Sequence, residues 1–166
     1  MDQAELDALY VAVKGDLVRT AWRILADRAA AEDVVQETWV RALRTWRERA
    51  DGVPSRAWLH RVTVNLCYDR LRSPAVRRET GGLEEAVSDA GPEAELLRSE
   101  ATAAVREALA GLPPVLRETV LLREAAGLKY REIARVMGCP VGTVMSRLHL
   151  ARRRLRAVLA PYLEME

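Results

Sequence analysis

The chain has 166 residues, enough for one ordinary domain or two small ones, each able to bury a modest core. Hydrophobic residues make up 49% and charged residues 30%, and no apolar run approaches the roughly 18 residues that a membrane-crossing helix requires, so a soluble chain without membrane insertion is expected. With 26 Lys and Arg against 24 Asp and Glu the net charge is only +2, and partners must be read from where the charges lie, not from their sum.

The chain opens MDQAELDALY, acidic and without a basic start followed by an apolar stretch, so no secretory signal is expected and the predicted location is cytoplasmic. Residues 1 to 72 carry helical periodicity almost throughout, with no clean alternation and no Asn-Gly hairpin signal. Within them, AEDVVQETWVRALRTW (31–46) places Val34, Val35, Thr38, Trp39, Ala42, Leu43 and Trp46 on one side of a helix and Asp33, Gln36, Glu37 and Arg44 on the other. Asp33 and Glu37 are four apart, a like-charge pair that costs an isolated helix a few tenths of a kcal/mol; either an outside partner uses it or the face is simply solvated. RAWLHRVTVNLCYDRLR (56–72) aligns Trp58, Arg61, Asn65 and Arg72, with Leu59, Val62 and Leu66 beside them facing inward. An aromatic, an amide and arginines on one face could hold an unstacked base and its phosphates; the plainer alternative is a core tryptophan beside solvated arginines.

Residues 73 to 92 collect Ser73, Pro74, Gly81, Gly82, Ser88, Gly91 and Pro92, the composition of a linker. It is acidic: from Glu79 to Glu100 seven acids stand against Arg98. An Ala-, Leu- and Glu-rich helix is predicted at 93–110, ended by Gly111, with Pro113-Pro114 starting the next. The expected architecture is all-α, two small helical domains joined by a flexible acidic linker.

Three helices are predicted in the second domain. The first runs from Pro114 to Ala126. The second carries Tyr130, Ile133, Ala134 and Met137 and closes at Gly138, and the third starts at Pro140 with Val141, Val144, Leu148, Ala151, Leu155 and Val158 as one apolar stripe. A short glycine-bearing turn between amphipathic helices is the helix-turn-helix arrangement. Opposite the stripe lie Gly142, Ser146, His149 and Arg153, with Thr143, Arg147 and Leu150 at one edge; from Ser146 to Arg156 there are five arginines and no acid. Small and hydrogen-bonding residues let a helix sit deep in a major groove while arginines reach phosphates. Cys67 and Cys139, the only cysteines, lack a CxxC partner and are expected to be packing residues, with no metal site and no cofactor.

Three of these stretches together resemble the sigma-70 family of bacterial transcription initiation factors, in particular the short two-domain extracytoplasmic-function sigma factors: AEDVVQETWVRA is similar to region 2.2, WLHRVTVNLCYDRLR to regions 2.3 and 2.4, and LPPVLRETVLLREAAGLKYREIARVMGCPVGTVMSRL to region 4. The resemblance implies region 2 at 1–73, a linker at 74–94 and region 4 at 95–166. It implies that Asp33, Gln36 and Glu37 dock on the β′ clamp of core RNA polymerase. Trp58, Arg61, Asn65 and Arg72 would meet the minus-ten DNA, with Asn65 helping to hold a flipped-out base and the segment Ala50 to Ser55 forming much of its pocket. Arg123, Val141, Gly142, Thr143, Met145, Ser146, Arg147, His149 and Arg153 would meet the minus-thirty-five duplex, the helices around them gripping the β flap. Promoter DNA, core polymerase and an anti-sigma factor are the implied partners.

Two departures from the family pattern bear on DNA sequence preference: Met145 stands where many relatives carry arginine, and SRLHLAR places Leu150 where another arginine is common. Trp39 replaces the usual phenylalanine. The implied function is promoter-directed transcription initiation without covalent catalysis, and no catalytic residue is assigned. A stand-alone helix-turn-helix regulator is the alternative. An enzyme is disfavoured because His60 and His149, the only histidines, sit in no HExxH pattern and no P-loop or nucleophile elbow is present. A protein-binding adaptor would leave the arginine face unexplained.

Overall fold

The computed structural model describes residues 1–48, 54–72 and 92–164. Among them are seven α-helices and no strand: α1 Gln3–Leu25, α2 Arg28–Glu48, α3 Arg56–Arg72, α4 Pro92–Ala110, α5 Pro114–Glu124, α6 Tyr130–Met137 and α7 Val141–Leu163. The all-α class and the two helical units are as the periodicity indicated. The acidic linker expected at 74–94 lies, as far as residue 91, outside the described residues, and its last three positions already belong to α4.

The N-terminal unit is a three-helix bundle in which α1, α2 and α3 pack on one another. Asp2 caps α1 reciprocally: the Glu5 N–H donates to Asp2 Oδ1 at 2.8 Å and the Asp2 N–H to Glu5 Oε2 at 2.8 Å. At the next junction the Ala30 N–H donates to Asp27 Oδ1 at 3.1 Å, capping α2. Leu17, Ala21, Ala31, Val35, Ala42, Leu59 and Cys67 form the sealed centre of the core. Trp39 stacks on Tyr10 with ring centroids 4.2 Å apart, which gives the larger aromatic its own partner across α1 and α2. Burial pushes the Cys67 thiol up to about 12, so it stays protonated and acts as a packing residue.

Four polar side chains, Thr20, Thr38, His60 and Thr63, sit inside this core. The Thr38 and Thr63 hydroxyls are 3.0 Å apart and each reaches the carbonyl one turn back, Val34 O at 3.0 Å and Leu59 O at 2.9 Å. His60, fully buried, places Nδ1 3.4 Å from the Thr20 hydroxyl, while its Nε2 has no partner among the described residues. The sequence had marked this histidine only as the member of no catalytic motif.

The C-terminal unit is built on α5, α6 and α7, with α4 packed against α7. The helix predicted over 114–126 ends at Glu124; Ala125 and Ala126 turn down into the core, and Gly127 reverses the chain at φ +67°. Between α6 and α7 the turn is Gly138-Cys139-Pro140. Gly138 adopts φ +66° and the Cys139 N–H donates to Ala134 O at 3.0 Å, closing α6 as a left-handed cap. A Cβ at Gly138 would meet nothing within 4 Å, so the dihedral alone demands glycine. The apolar stripe of α7 is shorter than predicted: Val144, Leu148 and Ala151 are buried and Leu155 packs at the edge, whereas Val141 and Val158 are exposed. At 23 residues α7 is far longer than α5 and α6, which have 11 and 8, and they do not cover it along its whole length.

α3 also packs against α5 and α6. Val64, fully buried, belongs to the C-terminal core although α3 is an N-terminal element, and Ile24 and Ala57 pack beside it.

Two consequences can be measured. Burial, aided by the Arg56 charge, lowers the His60 pKa from 6.5 to about 4. The unfolded chain therefore takes up a proton near pH 6.5 that the folded protein refuses until near pH 4, so this stability is whole above pH 6.5 and lost as the pH falls through that window. Denaturant unfolding is expected to register a loss of about 2 kcal/mol between pH 7 and pH 5, which His60→Gln abolishes. Gly138→Ala forces alanine into the left-handed region and is expected to lower the unfolding free energy by about 1 kcal/mol with no change in helix content by circular dichroism.

Candidate nucleic-acid interface

The first candidate surface is α7. With Val144, Leu148 and Ala151 driven into the core, the opposite side of the helix is left in solvent: Val141, Gly142, Met145, Ser146, His149, Leu150 and Arg153 are all exposed. Thr143 and Arg147 are half-buried at its margin, and the Arg147 guanidinium donates to Cys139 Sγ at 3.7 Å, tying the helix to the turn that aims it. Tyr130, Met145, His149, Arg152, Arg153 and Arg156 line a shallow cleft along this side. The Arg152 guanidinium donates to Glu124 Oε1 at 2.6 Å, and that hydrogen bond, more than any other influence, raises its proton affinity. Arg153 and Arg156 line the same cleft and form no ion pair among the described residues. Such a surface offers small residues and a thioether to a groove floor, and guanidinium groups to phosphates.

Arg123 behaves differently from these. Its guanidinium donates to Leu128 O at 2.9 Å and lies 4.9 Å from the Tyr130 ring centroid, stapling the end of α5 to the start of α6. Any reach to DNA would start from this docked position.

The second surface is the outer side of α2, where Asp33, Gln36 and Glu37 are exposed as the periodicity indicated. Their like-charge cost is offset inside the protein: Glu37 Oε1 pairs with Arg41 Nε at 3.1 Å one turn on, and Asp33 Oδ2 lies 3.7 Å from Arg70 Nη1 of α3. Exposed pairs contribute roughly 0–1 kcal/mol each, enough to cancel repulsion of a few tenths. The pair therefore does not by itself require an outside partner.

The third surface is α3. Trp58 is half-buried, packed against the N-terminal core, and its backbone N–H donates to the Ser55 hydroxyl at 3.1 Å. Arg72 is exposed, 5.6 Å from the Tyr68 ring, over which the buried Arg117 guanidinium stacks at 3.6 Å. Arg61 and Asn65 converge on one acceptor in the C-terminal unit. The Arg61 guanidinium and the Asn65 amide both donate to Glu118 Oε1, the latter at 3.1 Å, and Arg61 Nη1 donates again to Val136 O at 2.8 Å. Of the segment Ala50 to Ser55, residues 50–53 lie outside the described residues; Pro54 is buried and Ser55 opens α3. Thus Arg61 and Asn65 are brought together, Trp58 and Arg72 flank them, and the α7 set forms a separate surface.

Sequence reasoning passed over Glu118, Glu132, Arg56, Arg117 and Tyr68. Arg56 Nη1 pairs with Glu132 Oε1 at 3.1 Å, and the other oxygen of Glu132 accepts the Lys129 N–H at 2.8 Å, capping α6. The partners of these ion pairs are more than 50 positions apart, and no periodicity links them. Among the described residues no cluster of His, Cys, Asp and Glu could hold a metal ion, and no helix is long and apolar enough to cross a membrane.

Comparison with known proteins follows the same division. Residues 9–77 match the family model for sigma-70 region 2 and residues 102–155 that for sigma-70 region 4. The RNA polymerase sigma-H factor of Pseudomonas aeruginosa is 31% identical over 98% of this chain and 90% of its own length. The ECF RNA polymerase sigma factor SigE of Mycolicibacterium smegmatis is 36% identical over 87% of this chain, which spans 57% of that relative. Among solved structures, CnrH in complex with the cytosolic domain of CnrY superposes with a TM-score of 0.59 at 26% identity, covering 96% of this chain and 90% of that one. The sigma factor RpoE in complex with the anti-sigma factor NepR from Bartonella quintana gives 0.53 at 27% identity, covering 94% of this chain and 97% of that one. Two helical units that match region 2 and region 4 in order, and relatives that share them along nearly the whole chain, place this protein in the sigma-70 family, among the ECF RNA polymerase sigma factors.

Proposed function

We propose that the protein binds core RNA polymerase, brings it to a promoter through both helical units, and stabilises strand opening by holding an unpaired base against α3. The observation that carries the reading is the seating of α7. Three buried side chains and a glycine turn fix the helix, and the side left in solvent is the one that bears Gly142, Ser146, His149 and Arg153. A rigid helix presenting that side is suited to the major groove of the minus-thirty-five element. Val141, Met145 and Leu150 add apolar contact, and Arg153 with its neighbouring arginines supplies phosphate contacts.

In region 2, taken as residues 1–73, Asp33, Gln36 and Glu37 are the proposed contact with the β′ clamp. Trp58, Arg61, Asn65 and Arg72 are the proposed contact with the minus-ten strand. Region 4, taken as residues 95–166, would grip the β flap with α4 to α6 while α7 reads DNA, with Arg123 and Arg147 positioning the turn and Thr143 at its margin. The linker at 74–94 would pass between. The protein forms no covalent bond: unstacking a base costs a few kcal/mol and is offset by stacking and phosphate contacts once DNA is bound. Its place of work is the cytoplasm. An anti-sigma factor is a proposed partner, supported by the two structural neighbours, one seen with a cytosolic domain and the other with a protein of that description.

Promoter-specific run-off transcription from core polymerase plus this protein tests the reading, and tight duplex binding that needs no core would favour the stand-alone regulator. Asp33→Arg combined with Glu37→Arg is expected to weaken binding to core by at least about tenfold while leaving the circular dichroism spectrum unchanged, since like charges across an interface cost several kcal/mol and both residues are exposed. Met145→Arg is expected to create a guanine preference at one minus-thirty-five position, about 1–3 kcal/mol of discrimination, read from transcripts of a randomised promoter library.

A further inference from the structure

The side of α7 proposed to enter the major groove is short of the groups that read guanine best. Over its first turns, residues 141–151, the only guanidinium is that of Arg147, and it donates to Cys139 Sγ at 3.7 Å. Arg152, next in the chain, is held by Glu124 Oε1 at 2.6 Å, and Arg123 of α5 by Leu128 O at 2.9 Å. Arg153, Arg154 and Arg156 are exposed, but Arg153 stands about 16 Å along the axis from Gly142. A helix that enters a groove by its N-terminal end brings such arginines to the phosphate rim, not to the groove floor. Ser146 already donates its hydroxyl to Gly142 O at 3.0 Å.

What those first turns expose is apolar. Val141 is 38% and Met145 54% exposed, one turn apart on the same side of the helix, and Leu150 is 39% exposed at the other edge. None of the three packs into either core, so their apolar surface stays in water until a partner covers it. The surrounding charge says which partner: no acid occurs from Val141 to Leu163, and the exposed arginines follow on the same helix, a balance that suits a polyanion. In the major groove of duplex DNA, the apolar group on a base edge is the C5-methyl of thymine.

We propose that α7 reads its duplex chiefly through thymine methyl groups, with Val141 and Met145 as the specificity-determining residues and no arginine on the groove floor. This inference rests on the assignment of α7 to the minus-thirty-five element and deepens it. The unbranched thioether of Met145 adapts its path to the methyl it covers, whereas the stiff Val141 side chain holds one position. Four residues advance about 6 Å along a helix, comparable with two base-pair steps of about 3.4 Å each. His149 lines the same cleft as Met145 and is the polar reader beside them.

The test uses holoenzyme assembled from core polymerase and the full chain. A minus-thirty-five segment is selected from a randomised promoter library and remade with deoxyuracil for every thymine in it, which removes the C5-methyl groups and keeps the pairing edges. Loss of one covered methyl is expected to weaken binding about fourfold, read by competition against the thymine duplex. Val141→Ala combined with Met145→Ala should bind the two duplexes within about twofold of each other. Both side chains are exposed, so the circular dichroism spectrum should match the parent's. Any change of DNA shape caused by deoxyuracil is met equally by both proteins, and their difference isolates the methyl contact. A selected segment without enriched A·T pairs, or equal binding of the parent holoenzyme to both duplexes, overturns the methyl reading and leaves α7 on the duplex. A deoxyuracil penalty undiminished in the double alanine variant overturns the assignment to Val141 and Met145. Binding and transcription indifferent to every position of the segment overturn the underlying placement of α7, and the methyl reading with it.

Discussion

Helix α3 packs into both cores at once, and the arrangement of the other helices follows from that. Leu59 and Cys67 are sealed in the N-terminal core, while Val64, also sealed, points into the C-terminal one. The polar strip between them carries Arg61 and Asn65. Turning the helix by one residue would expose one core and bury a charge, so α1 and α2 on one side and α5 and α6 on the other are positioned by reference to it. Magnitudes separate the two sides. Burying a side chain such as Val or Leu contributes about 1.5–3 kcal/mol, and the N-terminal core contains many of them, whereas the joint with the C-terminal unit has Val64 and the partly buried Ile24 and Ala57. The rest of the joint is ion pairs and hydrogen bonds, whose net contribution is small because the same groups are well solvated apart.

The two surfaces proposed to face nucleic acid are therefore in different physical states. α7 is rigid and open: its inner side is anchored by Val144, Leu148 and Ala151, its start is set by Gly138 and Pro140, and its outer side needs no rearrangement to enter a groove. α3 is equally rigid but engaged, its arginine and amide satisfied by a carboxylate from the other unit. A preorganised open surface favours fast, low-cost duplex contact. An engaged one has its donors already satisfied within the protein.

Several features read from the sequence changed meaning once the helices were placed. The acids at Asp33 and Glu37 read as a like-charge pair, either used by an outside partner or simply solvated, yet Arg41 and Arg70 lie beside them. Arg41 is a sequence neighbour and was legible; Arg70 arrives only because α3 packs against α2. The stripe of α7 was traced through Val158, but periodicity reports what a helix could bury, not how far its support extends. Arg123 matched a DNA-contact position, and its local task, bridging α5 to Leu128 and Tyr130, depends on a turn that propensity does not describe. His60 gave no signal at all: a lone histidine in an amphipathic segment is buried or exposed according to what packs over it.

The sequence by itself determined the helices, their division into two units, the glycine-proline turn that opens α7, and the residues that turn outward on α2 and α7. These are local consequences of 3.6-residue periodicity, of the left-handed dihedral that glycine tolerates and of the fixed φ of proline, all encoded within a few positions of one another. Only the tertiary structure decided that Glu118 meets Arg61 and Asn65, that Glu132 meets Arg56, and that Val64 leaves its own bundle for the other core. These contacts join residues far apart in the chain and involve charged side chains with no periodic signature. They exist because two separately formed surfaces fit each other in space.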